Sequence, residues 1–388
     1  MNDAPETSPP AAPLRAAVSL AALRENLVLV RRKLSADTEL IACVKANAYG
    51  HGLRGVATCL EDEGVRWLSL GSAADALALR RWGVACDILL FPTGLGGHPA
   101  PLLEAGITLS VQSFDEAAEL ARVARSRAPS IFLKVDSGLG RVGAPLGEAV
   151  GLAARIRTEL PGVRLAGVFT HLPFAGPDNM AWVDDRLAAF GRVAVDIRAA
   201  TPGPLLIQAL ASAGVAAGMK APEANAVCPG SVLYGVEPAW LSPPLGTRPV
   251  LAEVRTALET IRTIPPGARF GYGGSRVAAR AMQVGALPIG YSNSILLPKA
   301  GQTVRVAGHD APVLSVSLEH AVVDLSDVAG ARIGTPVYLL AGDASVGPTL
   351  ADVASHQGRT ALEVLVSLTG RVTYEYSGDG SSPGSRTA

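Results

Sequence analysis

The feature that most constrains the fold is an alternation. Between residues 40 and 230 short β-type runs recur with helical stretches between them: LIACV (40–44), WLSLG (67–71), DILLF (87–91), ITLSV (107–111), SIFLKVD (130–136), RLAGVFTH (164–171), LLIQAL (205–210) and NAVCPG (225–230). The first is a short, partly β-branched apolar run, as a buried strand requires. The stretches between carry helix signals: Ser72 precedes AADALALRRW with Gly83 behind it, and Ser113 with Glu116 makes a capping box ahead of AAELARVA. Eight strand–helix units in one chain predict an α/β fold, a closed (β/α)8 TIM barrel.

After about residue 240 the pattern changes. LSPPLGTRP is a Pro/Gly-rich linker, and beyond it TVRVAG, APVLSVSLEHAVVDL, PVYLLAG and LEVLVSL are short Val-rich runs, which predict a small mainly-β domain. The expected organisation is an unstructured tail at 1–13, a barrel at 14–240, a β domain at 241–376 and a second tail at 377–388.

Composition narrows the function. Lys plus Arg and Asp plus Glu stand at 34 each, so no net field draws the chain to nucleic acid or to an anionic membrane surface; a small neutral or zwitterionic partner suits it better. The opening MNDAPETSPPAAPLR has no cationic segment followed by an apolar core, and no apolar stretch is long enough to span a bilayer. Cys43, Cys59, Cys86 and Cys228 are unclustered, which reads as reduced thiols in a cytoplasmic protein and gives no metal site. GLGG at 94–97 and GYGG at 271–274 lack the strand–helix setting of a dinucleotide motif.

In a (β/α)8 barrel the chemistry sits at the C-terminal ends of the strands. Lys45 ends the first run, with Tyr49 four residues on; Lys134, Asp136 and Arg141 follow the fifth, Thr170 and His171 the sixth, Ser212 the seventh, and Cys228, Gly230 and Ser231 the eighth. On the residues alone Lys45 is equally a lysine reaching water, Lys134 a partner of Asp136, His171 a rim histidine, and Tyr272 and Tyr291 half-buried aromatics. Small residues after strands seven and eight suit a phosphate, and a phosphate facing a strand-end lysine suggests pyridoxal 5′-phosphate, whose aldehyde condenses with an amine.

At this point VKANAYGHG, KVDSGLGRVG, THL, PGSVLYGVEP, FGYGGS and LPIGYSN, in that order, resemble the bacterial alanine racemase family. The resemblance runs from about residue 14 to 376. It implies an isomerase that interconverts L- and D-amino acids, alanine foremost, as a homodimer with shared active sites. Lys45 would hold pyridoxal 5′-phosphate as a Schiff base and act as one acid/base, and Tyr272 would supply the second from the other subunit. Tyr49, Ser212, Gly230 and Ser231 fall on phosphate positions. Arg141 matches the arginine that holds the cofactor's phenolic oxygen and faces the substrate carboxylate, His171 belongs to the hydrogen-bonded chain behind the ring, Tyr291 matches an entrance tyrosine, and Lys134 matches a lysine that can be carbamylated.

The chain departs from the family at marked places. Cys228 stands where the family has an arginine facing the pyridine nitrogen, Leu318 with Glu319 replaces a Met-Asp pair at the substrate position, Ala211 replaces an asparagine, and Gly370 stands in place of a phosphate-binding tyrosine. These departures leave open another enzyme of the same barrel type, acting on a different amino acid or as a decarboxylase, and a cofactor-binding protein without turnover.

Overall fold

The computed structural model describes residues 13–92, 98–174, 176–293, 300–368 and 371–378. The two tails, apart from residues 13, 377 and 378, lie outside the described residues, as do GLGG at 94–97 and Gly370. The chain forms two compact units, one of Ala21–Arg248 and one that joins Met1–Leu20 to Pro249–Ala388.

In the first unit the strands Glu39–Cys43, Trp67–Leu70, Asp87–Leu90, Thr108–Val111, Ser130–Asp136, Arg164–Phe169, Leu206–Ala211 and Ala226–Cys228 match the eight apolar runs. All pair in parallel, and the eighth returns to the first through Val227 opposite Leu40, which closes the barrel. Ile41, Leu68, Ile88, Ile131, Phe132, Val168 and Ile207 are fully buried, because a closed parallel sheet covered by helices leaves neither face to water. Gly167 is part of that packing: a Cβ there would lie 2.5 Å from the Phe132 ring.

The helices start where side-chain oxygens take up orphan N–H groups. Ser72 accepts from the Asp75 N–H and Ser113 from the Glu116 N–H, both at 3.2 Å. The return bond of the second cap differs from the capping box: the Glu116 carboxylate reaches one residue further back, to the Gln112 N–H at 2.7 Å and its side-chain amide at 3.1 Å.

The second unit is built on a nine-stranded sheet. Its order is Thr260–Ile264, Met282–Leu287, Ala321–Asp324, His309–Val316, Thr303–Val306, Pro336–Ala341, Leu251–Ala257, Leu14–Ser19 and Val372–Ser377. Residues 14–19 thus belong here and not to the barrel. Leu14, Ala16 and Val18 are buried while Arg15 is exposed, and this alternation suits a sheet covered on one face, not a parallel barrel. The Arg15 and Arg255 guanidiniums meet on Glu375, at 2.5 and 2.6 Å, and tie this strand to its two neighbours.

The run LEVLVSL is a second difference: Ala361–Val366 is a helix, not a strand. Thr360 accepts from the Glu363 N–H at 3.2 Å, and Glu363 reaches back to the Thr360 N–H at 2.7 Å, so a complete capping box overrides the β-branched composition. Another helix, Leu350–Gln357, starts on the same Thr349–Asp352 device, so the unit carries helices as well as strands.

Gly167→Ala should destabilise the barrel by about 1–3 kcal/mol, since the added methyl overpacks against a ring with no free side to move into. Urea unfolding followed by far-UV circular dichroism measures the loss.

Candidate active site at the barrel mouth

The first barrel strand runs into an unusual turn. Ala46, Asn47, Ala48 and Tyr49 take φ values of 52, 56, 53 and 55°, a left-handed turn made wholly of L-residues. Such a conformation costs about 1–2 kcal/mol per residue, so the surroundings must impose it. They do so through hydrogen bonds. The Ala48 N–H donates to the Val44 carbonyl at 3.0 Å, the Leu53 N–H to the Asn47 side-chain oxygen at 2.7 Å, and the His51 N–H to the Asn47 carbonyl at 3.1 Å. His51 Nδ1 lies 3.0 Å from both the Ala48 and the Tyr49 carbonyls. Two acceptors around one ring nitrogen place the proton on Nδ1. The Tyr234 ring stacks on Tyr49 and on His51, with centroids 4.8 Å apart in each pair.

The turn leaves the Lys45 side chain exposed, with Nζ 5.8 Å from the centre of the Tyr49 ring. Among the described residues it makes no hydrogen bond or ion pair. The Tyr49 hydroxyl folds back against Gly230, where any Cβ would collide with it, and donates to Cys43 Sγ at 3.7 Å. Ser212 Oγ receives the Gly230 N–H at 2.8 Å and the Val232 N–H at 3.5 Å, so the loops after strands seven and eight are joined at this point. Ser231 opens a single turn, Ser231–Tyr234, whose first N–H groups have no partner within it. Cys228 is buried, with Ser69 Oγ 3.2 Å from its sulfur.

Opposite lies a second cluster. The Asp136 carboxylate does not pair with Lys134 but accepts from the Gly138, Leu139 and Gly140 N–H groups, each at 2.9 Å, and so shapes the loop that carries Arg141. Gly143, at φ 132°, lets that loop fold back on the strand: a Cβ would lie 2.6 Å from the Asp136 nitrogen. The buried Lys134 ammonium donates to the Val135 carbonyl at 3.3 Å and lies 4.9 Å from the Phe169 ring centre. Burial lowers its pKa to about 7 despite the pull of Asp136, with Arg141 adding to the fall. His171 has an open edge at the rim, yet desolvation of its ring, then Lys134, Lys45 and Arg141, lower it to about 4. The imidazole is therefore neutral at pH 7, and Lys134, Arg141 and His171 belong to the ends of strands five and six, which pair side by side.

Tyr272, Tyr291 and Leu318 lie on the second unit and are 75, 62 and 56% exposed. Tyr272 heads a turn that Gly271, Gly273 and Gly274 allow with φ of 78, 64 and 62°. Tyr291 and Leu318 are brought side by side, since the Tyr291 N–H donates to the Ser317 carbonyl at 3.0 Å and the Ser292 N–H to the Leu318 carbonyl at 2.9 Å. Sequence reasoning missed Asn47, Cys43, Ser69 and Tyr234 as parts of the site. Only Cys43 carried a signal: it lies two residues before Lys45, on the same face by strand alternation.

These features define a class, a two-unit protein whose (β/α)8 barrel offers an uncommitted amine at its catalytic rim. The family profile described as alanine racemase, N-terminal domain, matches residues 18–238, and that described as alanine racemase, C-terminal domain, matches residues 251–376. The alanine racemase of Sorangium cellulosum is 32% identical over 385 residues, covering 94% of this chain and 99% of its own, and that of Streptococcus uberis is 32% identical, covering 94% and 98%. Among solved structures, the biosynthetic alanine racemase of Pseudomonas aeruginosa superimposes with a TM-score of 0.75 at 30% identity, over 95% of this chain and 100% of its own. The alanine racemase of Streptomyces lavendulae, a D-cycloserine producer, gives 0.83 at 27% identity, over 96% and 98%. The chain belongs to the alanine racemase family.

Burial also lowers the His51 pKa, to about 4 against an ordinary value of 6.5. Below about pH 6.5 the unfolded chain takes up a proton that folded His51 refuses, so stability should fall with pH down to about 4, by up to about 1.4 kcal/mol per unit. In proton NMR, neither His51 nor His171 should titrate between about pH 5.5 and 8. A urea-unfolding series whose slope falls in His51→Gln, by the share that His51 contributes beside His171, checks the first statement, and the imidazole C–H shifts check the second.

Proposed function

We propose that the protein is a pyridoxal 5′-phosphate-dependent amino-acid racemase, acting on alanine in the cytoplasm as a homodimer with shared active sites. The observation that carries this reading is Lys45, an exposed amine at the end of the first barrel strand that makes no hydrogen bond or ion pair among the described residues. The four cysteines are free thiols, which fits a reducing compartment, and no described helix is long and apolar enough to cross a membrane.

The residues around Lys45 fit the cofactor. A phosphate would draw on the Ser212 hydroxyl and the Ser231 N–H, and on the Gly230 and Val232 N–H groups once they leave Ser212 Oγ, which now accepts both. Tyr49 stands beside it, though here its own proton is directed at Cys43. When bound, the cofactor supplies an aldehyde for amine condensation and an electron-withdrawing ring that acidifies the substrate Cα–H.

The remaining work falls to the side chains. Arg141 binds the phenolic oxygen and the substrate carboxylate, for which its fork of donors suits two oxygens at once. Lys45 Nζ removes the Cα proton on one face, and the phenolic oxygen of Tyr272 of the partner subunit delivers a proton to the other. Neutral His171 can both donate and accept a hydrogen bond behind the ring. Tyr272, Tyr291 and Leu318 are large, exposed side chains on one unit, which supports their being covered by a second copy. Lys134, with a pKa of about 7, has a substantial neutral fraction that can attack carbon dioxide; the new N–C bond releases a proton to solvent and leaves a carbamate anion to hold Arg141.

Incubation with L-alanine in deuterium oxide should give D-alanine together with loss of the Cα–H signal. Full retention of configuration and of Cα–H with every amino acid tried, by protein that carries the cofactor, would overturn the reading. Lys45→Ala and Tyr272→Phe should each be inactive, and mixing them after verified subunit exchange should restore activity; no recovery would mean that each site lies within one chain.

Lys134 should form a carbamate in 13C-labelled bicarbonate, seen as a carbonyl resonance that Lys134→Met lacks. Because the neutral amine is the reactant, the signal should grow as pH rises through about 7.

A further inference from the structure

We propose that Gln112 and Glu116 are positioning residues for Arg141: Glu116 fixes the Gln112 side-chain amide so that its oxygen takes the Gly143 N–H and fastens the Arg141 loop to the neighbouring barrel strand. The effect on substrate rests on the racemase reading; the fastening does not.

The Arg141 guanidinium is exposed and makes no hydrogen bond or ion pair among the described residues, so its place is set by the backbone that carries it. That backbone leaves strand five at Asp136 and returns beside it, where Ala144 pairs with Val135 and Pro145 with Asp136. Asp136 holds the first half of the loop through the Gly138, Leu139 and Gly140 N–H groups. Outside that half stand Trp182 and Arg186, which a Cβ on Gly138 would meet at 3.3 and 3.2 Å. The second half is held by a residue from another strand end: the Gly143 N–H donates to Gln112 Oε1 at 2.8 Å. Only Arg141 and Val142 lie between the two anchors.

Gln112 sits between strand four, Thr108–Val111, and the helix Phe114–Val123. Strand four pairs with strand five, Val111 opposite Leu133. A primary amide has an acceptor on one side and donors on the other, and could turn either to the loop. Glu116 decides which. Its carboxylate accepts from the Gln112 N–H at 2.7 Å and, through the other oxygen, from the Gln112 side-chain amide at 3.1 Å. With the donor side engaged by a group that accepts, Oε1 is left facing Gly143. An ordinary capping box would aim the Glu116 carboxylate at the Ser113 N–H; here it is aimed one residue further back, at the side chain that reaches the loop. The first turn of a helix is also where the dipole favours a carboxylate, which helps to hold Glu116 there.

For the proposed reaction, the fastening keeps the guanidinium in reach of the substrate carboxylate. Its loss weakens a contact made in the ground state and the transition state alike, so KM rises while kcat holds.

Hydrogen–deuterium exchange at the Gly143 amide, read by mass spectrometry, and steady-state racemisation of L-alanine, both on cofactor-loaded protein, test the proposal. Gln112→Leu keeps the volume and lacks the acceptor. It should quicken Gly143 exchange about fivefold or more and raise KM about fivefold, with kcat unchanged within about twofold. Glu116→Gln should do the same to a smaller extent, about twofold, because the Gln112 amide is then free to turn. Gln112→Glu alone sets two carboxylates against each other and should behave as Gln112→Leu. Combined with Glu116→Gln, which can donate to the new carboxylate and still accept the backbone N–H of position 112, it should bring both readouts back to within about twofold of the parent protein. Lost packing alone would not recover on this exchange of partners. Glu119→Gln, on the same helix in an exposed ion pair with Arg122, should change neither readout. If Gln112→Leu does not fold, Gln112→Asn, too short to reach both partners, takes its place. Unchanged Gly143 exchange in the Gln112 variants, no recovery in the exchanged pair, or quickened exchange with KM unchanged would overturn the proposal. Exchange that responds as expected in loaded protein that racemises no amino acid would uphold the fastening and overturn the functional reading instead.

Discussion

The left-handed turn at Ala46–Tyr49 is the constraint on which the rest of the barrel mouth depends. A right-handed continuation would carry Tyr49 onward with the chain; the left-handed one returns its hydroxyl to Cys43, on the strand the turn has just left, and to Gly230 at the end of strand eight. That return sets Lys45 over the Tyr49 ring and brings the Tyr49 hydroxyl to the Cys43 sulfur. Non-glycine residues hold this conformation only where the surroundings over-determine it. Here the Asn47 side chain, the His51 ring and the absence of any side chain at Gly230 share the task, so residues far from any substrate atom fix where the amine stands.

The barrel was legible in the sequence because each of its strands is an apolar run with its own punctuation, and parallel strands covered on both faces need little else. The second unit was legible less completely. Leu14–Ser19 pairs with residues more than 230 positions away, at Leu251–Ala257 and Val372–Ser377, and periodicity marks a half-buried strand without saying which sheet will take it. LEVLVSL shows a different failure. Its Val-rich composition suggested a strand, whereas Thr360 and Glu363, just where a capping box needs them, decided for a helix.

The candidate site was legible as residues and not as contacts. Lys45, Tyr49, Ser212, Gly230 and Ser231 meet at one mouth as strand-end logic required, because position along a barrel strand largely fixes position in space. Lys134 with Asp136 was the natural pair by spacing, yet the carboxylate serves three backbone N–H groups, a demand set by the loop's turn geometry that no spacing rule records. Cys43 was counted only as a reduced thiol. Its contact with the Tyr49 hydroxyl follows from the left-handed turn, which no spacing shows.

Charge in the mouth is divided by depth. Lys45 and Arg141 stand exposed at the rim, with Lys134 buried and charged in part, and the Asp136 carboxylate, while it holds the loop N–H groups, offsets some of this charge. His171, on the same rim, is neutral chiefly because desolvation of its ring penalises the cation, with Lys134, Lys45 and Arg141 adding to the effect. An arginine at position 228 would have extended the positive field to the floor; the buried Cys228 thiol there ends it. A guest anionic at one end and cationic at the other is then oriented by the field before any contact forms.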